Sequence, residues 1–133
     1  MKNRVTVIIE KANDGGYSCY MADDVGNFGL QGYGDTAAEA KADFLEAYEE
    51  LKEVGAEDGF DVPQMSFVWK YDMQSFFNYF SFLNVSKIAE RAGINSSQMR
   101  QYASGASKAT QMQYDRLSRA VASIRHDLEV ATF

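Results

Sequence analysis

Soft ligands and rigid links are scarce in this chain. Its 133 residues include one cysteine, one histidine and one proline. A lone cysteine excludes an internal disulfide, and with one histidine it leaves too few soft ligands for a structural zinc site. A triad that needs histidine could use only His126. Long apolar runs are missing as well. Nothing approaches the roughly eighteen consecutive apolar residues of a membrane span, so no membrane partner is expected. The opening Met1-Lys2-Asn3-Arg4-Val5 meets charge before a signal-peptide core could build up, which points to a cytoplasmic protein. No metal, no cofactor and no catalytic residue is expected from this inventory.

What is present is a globular composition, 46% hydrophobic and 24% charged, long enough for one ordinary domain or two small ones. The net charge of −6 averages two unlike halves. Residues 1–72 carry six Lys/Arg against fifteen Asp/Glu, a balance of −9, whereas residues 73–133 carry seven against four, a balance of +3. An acidic half followed by a basic half suggests two modules, 1–72 and 73–133, with different partners. A merely solubilising acidic surface is the plainer explanation of the first half.

The first half reads as three strands, a helix and a strand. Val5, Val7 and Ile9 share one face at period two, and β-branched content favours a strand. Asn13-Asp14-Gly15-Gly16 is strong turn chemistry. Tyr17, Cys19 and Met21 then alternate in a second strand. After a turn at residues 23–27, Phe28 and Leu30 lead a third strand, weakened by Gly29 and Gly32. Thr36 can cap a helix, with Glu39 reaching back as a capping box. Ala40, Phe44, Ala47 and Leu51 form its buried stripe, and the helix is expected to end near Gly55. Met65, Phe67, Trp69 and Tyr71 alternate in a fourth strand. The fold class expected is α+β: a β-β-β-α-β layer followed by an all-α domain.

The second half is helical. Met73, Phe76, Phe77 and Phe80 have helical spacing, and the aromatic cluster at 76–82 suggests a helix wedged between the modules. Residues 85–105 carry the most information. Ala89 is small enough for a second helix to cross closely, Gly93 supplies a left-handed turn residue, and Ile94 plugs the corner. Met99 and Tyr102 hold the second helix on a core with Ile88 and Ala92, and Asn95 or Ser96 caps it. Its exposed side is then Ser96, Ser97, Gln98, Arg100, Gln101 and Ser104, with no acid among them. Such groups suit base edges in the major groove, Gln with adenine and Arg with guanine, and do not repel phosphates. Ser107, Lys108 and Thr110 in the next loop could hold backbone phosphates, and Lys87 joins the same DNA-binding set. An ordinary helical hairpin is the alternative. Thr110 with Gln113 makes another capping box, and the last helix carries Tyr114, Leu117, Val121, Ile124 and Leu128 as its stripe. The tail from Glu129 to Phe133 is β-prone and could pair with the sheet or a partner, with fraying the default.

On these residues the chain resembles a family. The first half is similar to HicB-like antitoxins through Gly16-Tyr17-Ser18 with Tyr20, Gly34-Asp35-Thr36 followed by Glu39-Ala40, and Glu46-Ala47. The second half resembles the phage-repressor-type helix-turn-helix appended to many of them, through Ala92-Gly93-Ile94-Asn95 and Tyr102-Ala103-Ser104-Gly105. The likeness covers roughly residues 3–128. It implies a degenerate ribonuclease-H-like sheet module that masks a small basic toxin, and a module that binds double-stranded operator DNA as a homodimer or higher oligomer. Where the family often carries Pro-Asp-Leu-Pro-Gly-Cys, this chain has Ala22-Asp23-Asp24-Val25-Gly26-Asn27, without the prolines or the cysteine. An orphan regulator without a toxin, and a toxin-masking or scaffold protein that never touches DNA, are the other readings.

A ribonuclease-H-like nuclease is the least favoured. Two-metal chemistry needs carboxylates converging on one face. Glu10 has the opposite parity to Val5, Val7 and Ile9, while Asp14, Asp23, Asp24 and Asp35 fall in turns, where such residues serve turn hydrogen bonds. Cys19 is expected to be a buried, inert thiol, Trp69 a core residue, and His126 a cation in the last turn of a helix.

Overall fold

A computed structural model of the chain describes residues 3–133. It is mixed α/β, with a four-stranded sheet and five helices among the described residues. These fall into two compact units, one ending at Tyr79 and one running Phe80–Phe133. The first unit thus includes the helix that follows residue 72. Residues 1 and 2, where the first module is expected to begin, lie outside the described residues.

The first unit runs β1 (Asn3–Lys11), β2 (Tyr17–Met21), β3 (Gln31–Gly34), α1 (Ala37–Asp58), β4 (Met65–Tyr71) and α2 (Met73–Tyr79). The sheet order is β3-β2-β1-β4. β1–β2 and β2–β3 are antiparallel, while β4 returns through α1 to lie parallel to β1. The period-two residues Val5, Val7 and Ile9 are buried beside Met21 and Cys19 on one side and Phe67, Trp69 and Tyr71 on the other. α1 lays Ala37, Ala40, Phe44 and Tyr48 onto this layer. Phe44 meets Phe67 and Trp69 edge-on, with centroids 5.1 and 5.7 Å apart. The Tyr48 hydroxyl accepts from the Met65 amide at 2.9 Å and donates to the Pro63 carbonyl at 3.2 Å, which pins the start of β4.

Several local expectations need correction. The third strand begins at Gln31, not Phe28; Phe28 pairs back onto Val25 in an isolated bridge, which takes its backbone out of the ladder. α1 does not stop near Gly55 but continues to Asp58, where Gly59 at φ 80° ends it. Gly55 is buried inside the helix because the chain doubles back over it. A Cβ there would lie 2.8 Å from the Phe60 carbonyl oxygen. Ala47 and Leu51 pack against the core only partly buried, and Tyr48 takes the buried place between them. Thr36 Oγ1 caps α1 by accepting from the Glu39 amide at 3.1 Å, while the Glu39 carboxylate reaches one residue further back, to the Asp35 amide at 2.9 Å. Trp69 is half-buried, with Lys41 Nζ 4.5 Å from its ring centre and 4.6 Å from that of Tyr79.

The second unit consists of α3 (Val85–Ala92), α4 (Ser96–Ser104) and α5 (Gln111–Glu129). Its buried residues are Ile88, Ala89, Ile94, Met99, Tyr102, Leu117 and Ala120. The stripe on α5 departs from expectation at its end. Leu117 is buried and Val121 and Ile124 are half-buried, but Leu128 is 69% exposed. The contact made there is polar: Arg91 on α3 donates to Ser123 Oγ at 3.0 Å and pairs with Asp127. Thr110 caps α5 by accepting from the Gln113 amide at 3.4 Å, yet Gln113 Oε1 is buried without a partner, so only half of the expected box forms. Beyond Glu129 the tail forms no strand and is exposed.

Candidate nucleic-acid interface

The local geometry of α3 and α4 follows from their caps. Asn84 Oδ1 accepts from the Lys87 amide at 3.0 Å and opens α3. α3 closes in a Schellman arrangement, with Gly93 left-handed at φ 71°, its amide on the Glu90 carbonyl and the Ile94 amide on the Ala89 carbonyl at 2.9 Å. That last bond sets Ile94, 5% exposed, into the corner between the helices. Asn95 then caps α4 through the Gln98 amide at 3.2 Å, and Gly105 at φ 84° ends it. Ala89 and Met99 are fully buried where α3 and α4 meet.

On α4, Ser97, Arg100, Gln101 and Ser104 are exposed, while Ser96 and Gln98 are half-buried on its flanks. Lys87 is exposed in the first turn of α3, and its Nζ lies 3.6 Å from the Glu90 carboxylate. In the segment after α4, Ser107 is half-buried and Lys108 exposed, and Thr110 serves as the cap of α5. The structure ties several of these side chains together. Arg100 donates to Ser86 Oγ at 2.9 Å and to Ser97 Oγ at 3.2 Å. Ser107 Oγ donates to Gln101 Oε1 at 2.8 Å, which orients the Gln101 amide group. Ser104 Oγ lies 3.2 Å from the Gln101 carbonyl oxygen and 3.4 Å from the Ala106 amide. α4 carries no carboxylate, so the surface offers donors, amides and one guanidinium.

Ser86 is absent from the sequence-derived set. Its link to Arg100 spans fourteen positions and depends on how α3 and α4 cross, so no local pattern signals it. Neither a family model, a curated protein nor a solved structure matches this chain.

The first unit has a shallow depression of about 450 Å³ along β2 and β3, lined by Ser18, Cys19, Tyr20, Gln31, Gly32, Tyr33 and Asp43. Three of its polar side chains, Tyr20, Tyr33 and Asp43, are engaged within the fold. Asp43 accepts from the Tyr33 amide at 2.9 Å. Burial pushes the Cys19 thiol up to about 11, well above the range in which a thiolate forms at neutral pH. Asp14 accepts from the Gly16 amide at 3.1 Å and the Tyr33 hydroxyl at 2.9 Å, and these bonds lower its pKa. Glu10 accepts from the Tyr20 hydroxyl at 3.3 Å. Among the described residues, no group of three or more His, Cys, Asp or Glu is placed to hold a metal ion, and no helix is long and apolar enough to cross a membrane.

Proposed function

We propose that this chain is a HicB-like antitoxin-type transcriptional regulator that binds double-stranded DNA through α3 and α4. The observation that carries the reading is the acid-free outer side of α4. Ser97, Gln101 and Ser104 are exposed there, on a short helix held by the Gly93–Ile94 corner. Short hydroxyls, amides and one guanidinium at this spacing match base edges, and the surrounding Lys87 and Lys108 supply cations that phosphates require. One such module makes few contacts. Two copies about 34 Å apart, one turn of duplex, would combine their affinities, so the working form is a homodimer or higher oligomer. The first half, with its balance of −9, discourages non-specific DNA contact and offers a complementary surface to a small basic toxin or a second copy.

The test is a gel-shift titration of Gln98→Ala with Gln101→Ala against duplexes selected from a random pool by the wild-type protein. Weakened binding with unchanged circular dichroism is expected, along with a steep loss of wild-type affinity as salt rises. Unchanged affinity in the double variant would remove α4 as the recognition element. A salt-independent response would favour the second reading, a toxin-masking or scaffold protein, which rests on the acidic first half.

A further inference from the structure

The residues on the outside of α4 are not equivalent. Met99 and Tyr102 are buried and define its inward side. Ser97, Gln101 and Ser104, spaced four and three residues apart, form a ridge on the opposite side. Arg100, three residues after Ser97 and four before Ser104, borders this ridge on the side where Ser86 of α3 lies. From there its Nη1 donates to Ser86 Oγ at 2.9 Å, in the first turn of α3, and its Nη2 to Ser97 Oγ at 3.2 Å. The guanidinium is therefore held across the two helices by both terminal nitrogens.

We infer that Arg100 is a backbone-phosphate contact, and that the base edges are read by the ridge of Ser97, Gln101 and Ser104. This rests on the DNA-binding reading above and assigns roles within it. An arginine that reads guanine presents its two end nitrogens together, free to point along the groove. In this protein each of those nitrogens commits one N–H to a serine hydroxyl, and pointing into the groove would break both bonds. The second hydrogen on each nitrogen remains available for an oxygen at the flank. When a recognition helix enters the major groove, the preceding helix crosses the sugar–phosphate backbone. The first turn of α3, with Ser86 and exposed Lys87, then lies at the groove wall where phosphates run. Arg100, anchored on that turn, sits at the wall with it. The Ser107 hydroxyl donates to Gln101 Oε1, so the NH₂ is the group that Gln101 keeps to offer a base edge.

The roles separate in salt dependence and base preference. A random-sequence duplex pool long enough for two half-sites is selected with wild type, Arg100→Ala, Arg100→Gln, Arg100→Lys and Gln101→Ala, and affinity is measured over a range of KCl. Arg100→Ala and Arg100→Gln are expected to weaken selected and unselected duplexes by the same factor. Each should make the slope of log K against log salt shallower by about one per subunit, with the selected sequence unchanged. Arg100→Lys keeps the charge and should recover the slope. Gln101→Ala should lose preference at one position and keep the slope. The assignment is overturned if the neutral Arg100 variants lose a guanine preference at a defined position while the slope stays as in wild type. If wild type retains no duplex from the pool, the DNA-binding reading falls and this assignment with it.

Discussion

Gly32 and Phe44 are packed backbone to backbone. A Cβ on Gly32 would stand 2.4 Å from the Phe44 amide nitrogen and 2.4 Å from the Ala40 carbonyl oxygen. The missing side chain lets α1 lie close on the thin edge of the sheet formed by β3, where Gly32 opposes the buried Cys19. Neither obstructing atom can rotate away, because both belong to the helix backbone. Gly32→Ala is therefore expected to destabilise the first unit by about 1–3 kcal/mol, the usual range for overpacking, seen as a lowered urea midpoint. A midpoint equal to wild type would mean that α1 can lift off β3 at no cost.

Gly93 makes a different demand. Nothing lies within 4 Å of a Cβ placed there, but its φ is 71°. Gly93→Ala should cost about 1–2 kcal/mol through backbone strain alone, and Gly93→Asn less, because asparagine tolerates the left-handed region better. Thermal melts of the two variants give the comparison. If alanine proves no worse than asparagine, strain is not what the turn selects against.

Ser75 is fully buried, with Oγ 2.8 Å from the Ile9 carbonyl oxygen and 2.6 Å from Asp72 Oδ1. It ties the start of α2 to the end of β1. Ser75→Ala leaves buried acceptors short of a donor, and a loss of about 1–3 kcal/mol is expected in chemical denaturation. Ser75→Thr, which keeps the hydroxyl, tests whether lost hydrogen bonding or altered volume is responsible.

Alkaline pH should weaken the first unit. Burial raises the Cys19 thiol from 9.0 to about 11 and the Tyr71 hydroxyl from 10.0 to about 12. Both groups hold their protons more tightly folded than unfolded, so stability falls as pH rises between the two values. For Cys19 the loss begins near pH 9.0 and is complete above about 11; for Tyr71 the window is 10.0 to about 12. Urea midpoints measured across this range should decline, and Cys19→Ala should flatten the early part of the decline. The same burial predicts that iodoacetamide labels Cys19 at neutral pH only after unfolding. Rapid labelling of the native protein would contradict it.

Much of this fold can be read locally. The alternation of Val5, Val7 and Ile9, the Asp14–Gly16 turn and the Thr36 cap each involve residues a few positions apart, and all appear where the sequence puts them. Features that depend on distant neighbours are less visible. Gly55 reads as a helix end because glycine commonly ends helices, yet it is a packing site for the chain returning at Phe60 and Val62. Leu128 has the spacing of a core residue, but the spacing cannot show that Arg91 brings a polar contact to that turn of α5. In the candidate interface, the polar character of Ser97 and Gln101 is plain from the sequence, whereas the anchoring of Arg100 by Ser86 is not.

The sequence by itself determined the order of the elements, the inward face of the first two strands, the corner at Gly93 and the acid-free character of α4. These follow from side-chain period, caps and backbone freedom, which act over one or two turns of chain. Tertiary structure decided that β4 lies parallel beside β1, how far α1 extends, and which hydroxyls hold the Arg100 guanidinium. Those outcomes depend on surfaces brought together from far along the chain. Their free energy comes from burial and hydrogen bonding between elements, which no local pattern encodes.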